Sequence, residues 1–472
     1  MRRRLNVIVV VIDSLRAGAV WRQRHGFGQP AGPFLRTLSG SAVAFTRAYA
    51  TECWTLPTHM SMFTGALPSK HGAHFQTMAY AGDGPTAGEL FVRAGYHTEV
   101  ISRNSLLDGT VPGVTRGFQV NTRIMADDRR TNLLLALTAL GKPRLRRSMR
   151  LSGFFHVLQR EQREFLNRLA RMGLPADERA LGYALERMAH LHRRGERFFL
   201  FVNLYDVHAP YCPSLESPLR SFRTLSGWRE NLALPFVLPK ISSHGYLRPG
   251  FRLSEYSRCM LLRRYESAVD LMDRKVEAFY SEARRTGLLN DAVFIVTSDH
   301  GEAFGEHALY FHDASVYNTH LHVPLWIHHP DVPSSVVDDV VSTRSLFDLL
   351  KAVAEGGDLR GTVLDAAARR AGPVALAEHF HYPYTDGLLP RYKHNIAAAI
   401  VGERKVIVRA EGLERYDLLQ EPEEMRPEGG TLKDFEAALR RDDVPQSAID
   451  VAVEHASNWL HRERHAGPPV AA

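Results

Sequence analysis

Residues 5–13, LNVIVVVID, are apolar at almost every position and end on a carboxylate. A strand covered on one face alternates apolar and polar residues; an unbroken apolar run fits a central parallel strand covered on both faces. Two more stretches read the same way: ERFFLFVNLYD (196–206) and DAVFIVTSDHG (291–301). HTEVISR (97–103) and HVPLWIHHP (322–330) are shorter strand-like segments. Residues 57–66 and 86–94 read as helices, and YESAVDLMDRKVEAFYSEARRTG (265–287) has helical spacing and a Gly stop. Strands separated by helices indicate an α/β fold around a parallel sheet. In such sheets functional residues collect beyond the carboxyl ends of the strands. Asp13, Asp299 and His300 lie there, and His208 follows its strand closely.

The chain has 472 residues, 44% hydrophobic and 24% charged, which excludes a disordered chain, a collagen-like chain and a coiled-coil rod. A net charge of +7 is mild for this length and does not single out nucleic acid; no nucleic-acid-binding motif is present. Cys53, Cys212 and Cys259 are too few and too scattered for a disulfide framework, and no CxxC pair suggests structural zinc. They read as reduced thiols of a cytoplasmic protein. MRRR followed by LNVIVVVI resembles the start of a signal peptide, but the apolar run is short and no small-residue cleavage site follows. No run approaches the ~20 apolar residues that span a membrane.

Two stretches break the alternation. Residues 105–195 read as a mostly helical insertion, and KPRLRRSMR (142–150) with the helix-like residues after it forms a basic patch. A solvated basic helix accounts for 142–170; peripheral contact with an anionic membrane is the sharper alternative. Residues 212–256, rich in Pro, Ser and Leu, read as a loop near the strand ends. Residues 394–419 read as short strands with a turn at Glu411-Gly412, placing a small antiparallel α+β subdomain at 376–462 after a catalytic domain over 1–375. The tail, 463–472, reads as disordered.

Asp299-His300 within TSDHGE ends a strand, so one carboxylate and one imidazole can reach the same ion. In CWTLPTHM (53–60), a hydroxyl residue and a Pro open a helical run, and backbone N–H groups at a helix N-terminus favour an anionic phosphate or sulfate. Each element alone is equally a cap or a turn.

Together these elements resemble the sulfatase family of the alkaline phosphatase superfamily. The matching segments are IDSLR (12–16), TLPTHMSMFTGALPSKHG (55–72), AGYHT (94–98), NLYDVHAPY (203–211), VTSDHGEAFGEH (296–307), HVPLWIHHP (322–330) and ERYDLLQEPEE (414–424), in the family's order. The resemblance implies a mixed, mostly parallel sheet flanked by helices. It implies that Asp13, Asp299 and His300 are metal ligands and that Thr55 stands at the nucleophile position, also against the metal. It places His59 where sulfatases carry an Arg that supports the nucleophile. His208 matches a substrate-contacting His, His312 a group on the leaving oxygen, and Arg103 a further basic substrate contact.

The departures shape the expected chemistry. Sulfatases mature a Cys or Ser at the nucleophile position into formylglycine; Thr55 cannot be converted, and Cys53 lies two residues early. The second Asp of the usual pair is Ser14. The set resembles the single-metal site of threonine-nucleophile phosphoryl transferases, and one imidazole among oxygens suits Mn²⁺, Zn²⁺ or Mg²⁺ better than Ca²⁺. A two-zinc phosphatase site would need an Asp-x-x-x-His set, but Pro210, not His, stands four residues after Asp206. Metal coordination makes a hydroxyl a usable nucleophile. A formylglycine hydrate expels sulfate by collapsing to the aldehyde, which a threonine ester cannot do, so phosphoric or phosphonic esters of small molecules, lipids or glycans are the expected substrates. The alternatives are a sulfuric ester hydrolase working without formylglycine and a non-catalytic scaffold that binds anionic surfaces.

Overall fold

β1 (Asn6–Ile12) is buried at all seven positions. The computed structural model describes residues 4–21, 30–124, 177–209, 253–312, 314–365, 374–381, 392–442 and 444–465, with Tyr211, Val237 and Phe251 besides. β1 lies between β5 (Phe198–Leu204) and β6 (Ala292–Thr297), parallel to both. Beyond β5 come β3 (His97–Ser102) and the edge strand β4 (Val120–Arg123). Beyond β6, β9 (His322–His328) is antiparallel to both its neighbours, β6 and β2 (Val43–Tyr49). β10 (Ser335–Val337) and β11 (Val341–Ser342) pair with β2 in parallel. The result is a nine-stranded, mostly parallel sheet.

The pleat sends alternate β1 side chains to opposite layers. Val7, Val9 and Val11 pack with the Thr55–Thr64 and Leu346–Ala354 helices. Ile8, Val10 and Ile12 pack with the Asp177–Arg193 and Glu255–Arg285 helices. The expected helix over 86–94 forms as Ala87–Arg93, started by a capping box between Thr86 and Glu89. The long helix begins ten residues earlier than its apolar spacing indicates, because Ser254 caps it.

Of the stretch 105–195, expected to be a mostly helical insertion, residues 125–176 lie outside the described residues, and the described ends belong to the main fold. β4 lies within this stretch and belongs to the main sheet. Its four residues, VNTR, are half-exposed and carry no pattern of their own; β3 supplies the pairing. The Asp177–Arg193 helix is a core element rather than an appendage, burying Ala180, Ala184 and Met188. The basic patch at 142–170 and most of the 212–256 loop lie outside the described residues. The Gln446–His465 helix extends into the expected tail, whose residues 466–472 also lie outside them.

The C-terminal region is an antiparallel meander of β12 (Val374–His379), β13 (Ile396–Val401), β14 (Arg404–Arg409) and β15 (Gly412–Asp417). The Leu432–Arg441 and Gln446–His465 helices cover one face through Phe435, Leu439, Ile449 and Trp459. The other face packs Ala375, Ala377 and Ile407 against Tyr49, Val316 and Leu321 of the main body. No helix among the described residues is long and apolar enough to cross a membrane.

One ion pair in this junction is buried on both sides. Lys405 pairs with Glu424 and donates to Asn318 Oδ1 at 2.9 Å. Burial pulls the Lys405 ammonium down and pushes the Glu424 carboxyl up, so each charge depends on the other. Lys405→Met is expected to cost about 3–5 kcal/mol, because it strands a buried carboxylate. Chemical denaturation checks this, and a loss below 1 kcal/mol would contradict it.

Candidate active site

The ends of five mutually parallel strands deliver the site. Asp13 follows β1, the Thr55 loop follows β2, Asn104 follows β3, His208 follows β5, and Asp299-His300 follow β6. Thr55 is the first residue of its helix, and the preceding Trp54 makes no side-chain cap bond to the first-turn N–H groups. Those donors remain available to an anion. The Trp54 ring instead stacks on Phe75, with centroids 3.8 Å apart.

Asp13, Asp299 and His300 converge in full burial, with one ligand atom from each lying within 4.8 Å of the others. His300 Nε2 is 3.3 Å from Asp299 Oδ2 and 3.8 Å from Asp13 Oδ1. Thr55 Oγ1 is 3.5 Å from Asp13 Oδ2. The backbone holds the remaining atoms: Ser14 N and His300 N both donate to Asp299 Oδ1, at 3.1 and 2.9 Å, and His300 Nδ1 donates to Gly301 O. Ser14 adopts a left-handed φ of 65° to make its bond, and Tyr265 fixes it by donating to its carbonyl. Gly301 is required here, since a Cβ would fall 2.1 Å from Thr319 O.

This donor set fits a divalent cation. Asp299 Oδ2 and His300 Nε2 are buried without a hydrogen-bond partner. Burial, and then the neighbouring Asp13 carboxylate, push Asp299 well above the carboxylate range. Burial, and then His312, hold His300 well below the imidazole range, leaving it neutral as a ligand must be. Two crowded carboxylates and a neutral imidazole require an external positive charge.

The remaining expected residues are placed around this centre. His59 lies behind Thr55, 2.8 Å from Thr55 O and 3.8 Å from Asp299 Oδ2; burial lowers it to about 4, so it is neutral rather than the cation expected of an Arg at this position. His312 lies with its ring 4.3 Å from that of His300 and 4.8 Å from that of His208, and Glu302 accepts its Nδ1–H at 3.2 Å. His208 stacks on Tyr205 at 4.3 Å. Arg103 pairs with Asp206 at 2.6 Å; Lys275 holds the other Asp206 oxygen, and Asp177 stands 3.8 Å from the guanidinium.

Three neighbours of the centre were given no role from the sequence: Asn104, which lies outside every matching segment, and Tyr205 and Glu302, which lie inside two of them. The signal for Asn104 was its place just past the carboxyl end of β3. Its amide donates to Asp13 Oδ2 at 3.1 Å and to Thr55 Oγ1 at 3.4 Å. Asn104→Ala frees the Thr55 hydroxyl to rotate and is expected to lower kcat by about 10- to 100-fold with little change in KM. An unchanged kcat in steady-state kinetics would remove Asn104 from the site.

Other histidines hydrogen-bond within the fold. His71 links Pro57 O and Ser61 Oγ, bracing the Thr55–Thr64 helix. His320, His322 and His328 bond to the carbonyls of Phe311, Thr46 and Ser41. His379 and His381 meet Glu52 and Asn395.

A mixed α/β sheet with carboxylates, an imidazole and a helix-borne hydroxyl at its strand ends defines an alkaline-phosphatase-like hydrolase. The Sulfatase family model matches residues 5–356, three quarters of the chain, and the protein belongs to the sulfatase family of ester hydrolases. It is 21% identical to the choline-sulfatase of Rhizobium meliloti (strain 1021), over 97% of this chain and 93% of that one. Its fold matches the phosphonate monoester hydrolase of Agrobacterium radiobacter, with a TM-score of 0.60 and 18% identity over 99% and 97% of the two chains. It also matches a protein solved with its substrate D-glucosamine-2-N,6-O-disulfate, with a TM-score of 0.59 and 12% identity over the whole of both chains.

Proposed function

We propose that this protein cleaves phosphonic or phosphoric esters through a covalent Thr55 intermediate, with one divalent metal ion. The observation that carries the reading is Thr55 Oγ1 at the open helix N-terminus, 3.5 Å from Asp13 Oδ2 and 3.4 Å from Asn104 Nδ2. Asp13, Asp299, His300 and Thr55 would hold the metal, which supplies positive charge at the site and lowers the pKa of a hydroxyl.

Asn104 and Asp13 orient the Thr55 oxygen toward phosphorus. The first-turn N–H groups stabilise charge on the equatorial oxygens. Thr55 Oγ gives its proton to Asp13 Oδ2, its hydrogen-bond acceptor, as its bond to phosphorus forms and the bond to the ester oxygen breaks. His312, aligned by Glu302, protonates the departing alkoxide, and His208 beside it binds the transferred group. Water, or an acceptor alcohol, then displaces Thr55 from phosphorus and releases phosphate, phosphonate or the new ester. Arg103, tied to Asp206, serves as a further substrate contact.

The resemblance to choline-sulfatase along nearly the whole chain favours a second reading, sulfuric ester hydrolysis without formylglycine. One assay decides between them. Metal-loaded protein is given an aryl sulfate, an aryl phosphate monoester, a phosphodiester and a phosphonate monoester side by side. Turnover of phosphorus esters is expected; turnover of the sulfate alone would replace the first reading with the second. Intact-mass spectrometry is expected to show no 18 Da loss at Cys53, the mark of formylglycine.

A further inference from the structure

We infer that Glu52, Cys53 and His379 form a second metal site, separate from the active site and suited to a thiophilic divalent ion such as Zn²⁺. The inference does not depend on the proposed ester chemistry. The three side chains are 0–1% exposed, and one ligand atom from each lies within 4.8 Å of the other two. Cys53 Sγ is 3.6 Å from His379 Nδ1, and His379 Nδ1 is 2.8 Å from Glu52 Oε1. Zinc bonds to S, N and O at tetrahedral angles put ligand atoms about 3.4–3.6 Å apart. The sulfur–nitrogen spacing already matches, and a small Glu52 rotation supplies the rest.

A plain Glu–His hydrogen bond leaves this cluster unfinished. Both available donors, His379 Nδ1 and Cys53 N, reach Glu52 Oε1. Glu52 Oε2 is buried with no hydrogen-bond partner. An unsatisfied buried carboxylate oxygen is costly, and a cation held by both Glu52 oxygens removes the cost. Carboxylate, thiolate and neutral imidazole together carry two negative charges, the balance for one divalent ion. A thiolate in the set selects Zn²⁺ over Mg²⁺ or Ca²⁺. The pairing spans the fold: Glu52 and Cys53 lead into Thr55, whereas His379 ends β12 of the C-terminal sheet. The ion would staple that sheet to the nucleophile loop.

Cobalt tests this without an activity readout. The Asp13 site contains no sulfur, so only a cysteine-bound cobalt gives a thiolate-to-cobalt charge-transfer band in the near ultraviolet. The full chain, stripped with chelator and titrated with Co²⁺, is expected to develop this band to saturation. The band should persist in a Cys212→Ser, Cys259→Ser variant and in Asp299→Asn, and vanish in Cys53→Ser together with one equivalent of bound metal. No band in the wild-type chain at saturating Co²⁺ overturns the inference. So does loss of the band in the Cys212→Ser, Cys259→Ser variant, which retains Cys53 and decides the matter even if Cys53→Ser fails to fold.

Discussion

Thr55→Ala is expected to lower turnover at least about a thousandfold, the scale on which removing a covalent nucleophile acts. The change deletes one buried hydroxyl whose recorded partners are Asp13 and Asn104, both of which keep other contacts. The helix start survives, because Thr58 Oγ1 still bonds to the carbonyls of residues 54 and 55, and those bonds do not use the lost side chain. Circular dichroism should therefore match the wild type, and metal content should stay nearly intact because Asp13, Asp299 and His300 remain to hold the ion. Thr55→Ser keeps a hydroxyl and should recover a measurable part of the rate. Wild-type turnover in the alanine variant would exclude a Thr55 intermediate.

Asp299→Asn is expected to abolish stoichiometric metal binding at the active site. Asp299 Oδ1 is engaged by two backbone N–H groups, whereas Oδ2 has no hydrogen-bond partner and lies 3.3 Å from His300 Nε2. An asparagine can keep its carbonyl oxygen on the backbone donors, which places its NH₂ group where the cation must sit. The substitution thus replaces a ligand by a donor, a larger change than the 10- to 100-fold affinity losses of about that order typical of supporting residues. The sign of the stability change in metal-free protein follows from the carboxyl group. Its folded pKa is raised well above the ordinary 3.8, so its stabilising contribution is complete below 3.8 and is lost as pH rises toward the folded value. Chelator-stripped wild type should lose stability across that rise, and Asp299→Asn should lose less. Elemental analysis showing unchanged metal content in the variant would count against the site.

What the sequence disclosed follows physical range. β1 was legible because a strand covered on both faces writes its burial into consecutive residues. Asp13, Thr55, Asp299 and His300 were legible because each ends a strand or opens a helix within a recognisable segment. β4 was hidden because VNTR becomes a strand only through its partner β3. Asn104 was hidden for a similar reason: one polar residue past a strand looks like any turn until Asp13, 91 positions away, is brought beside it. His379 needed a partner 327 positions distant. Interactions that depend on such closures leave no local period to read.

The grip of the C-terminal sheet on the nucleophile loop also orders the protein's assembly. Thr51 O accepts from Glu378 N, and the same strand brings His379 to Glu52. During synthesis the loop precedes its partners Glu378 and His379 by more than three hundred residues. A nascent chain can form β1 and the Thr55 helix early, but the loop is locked only after β12 docks. Locking of this loop is therefore a late event in folding, and a chain truncated before residue 374 would carry Thr55 on a loop that β12 does not hold.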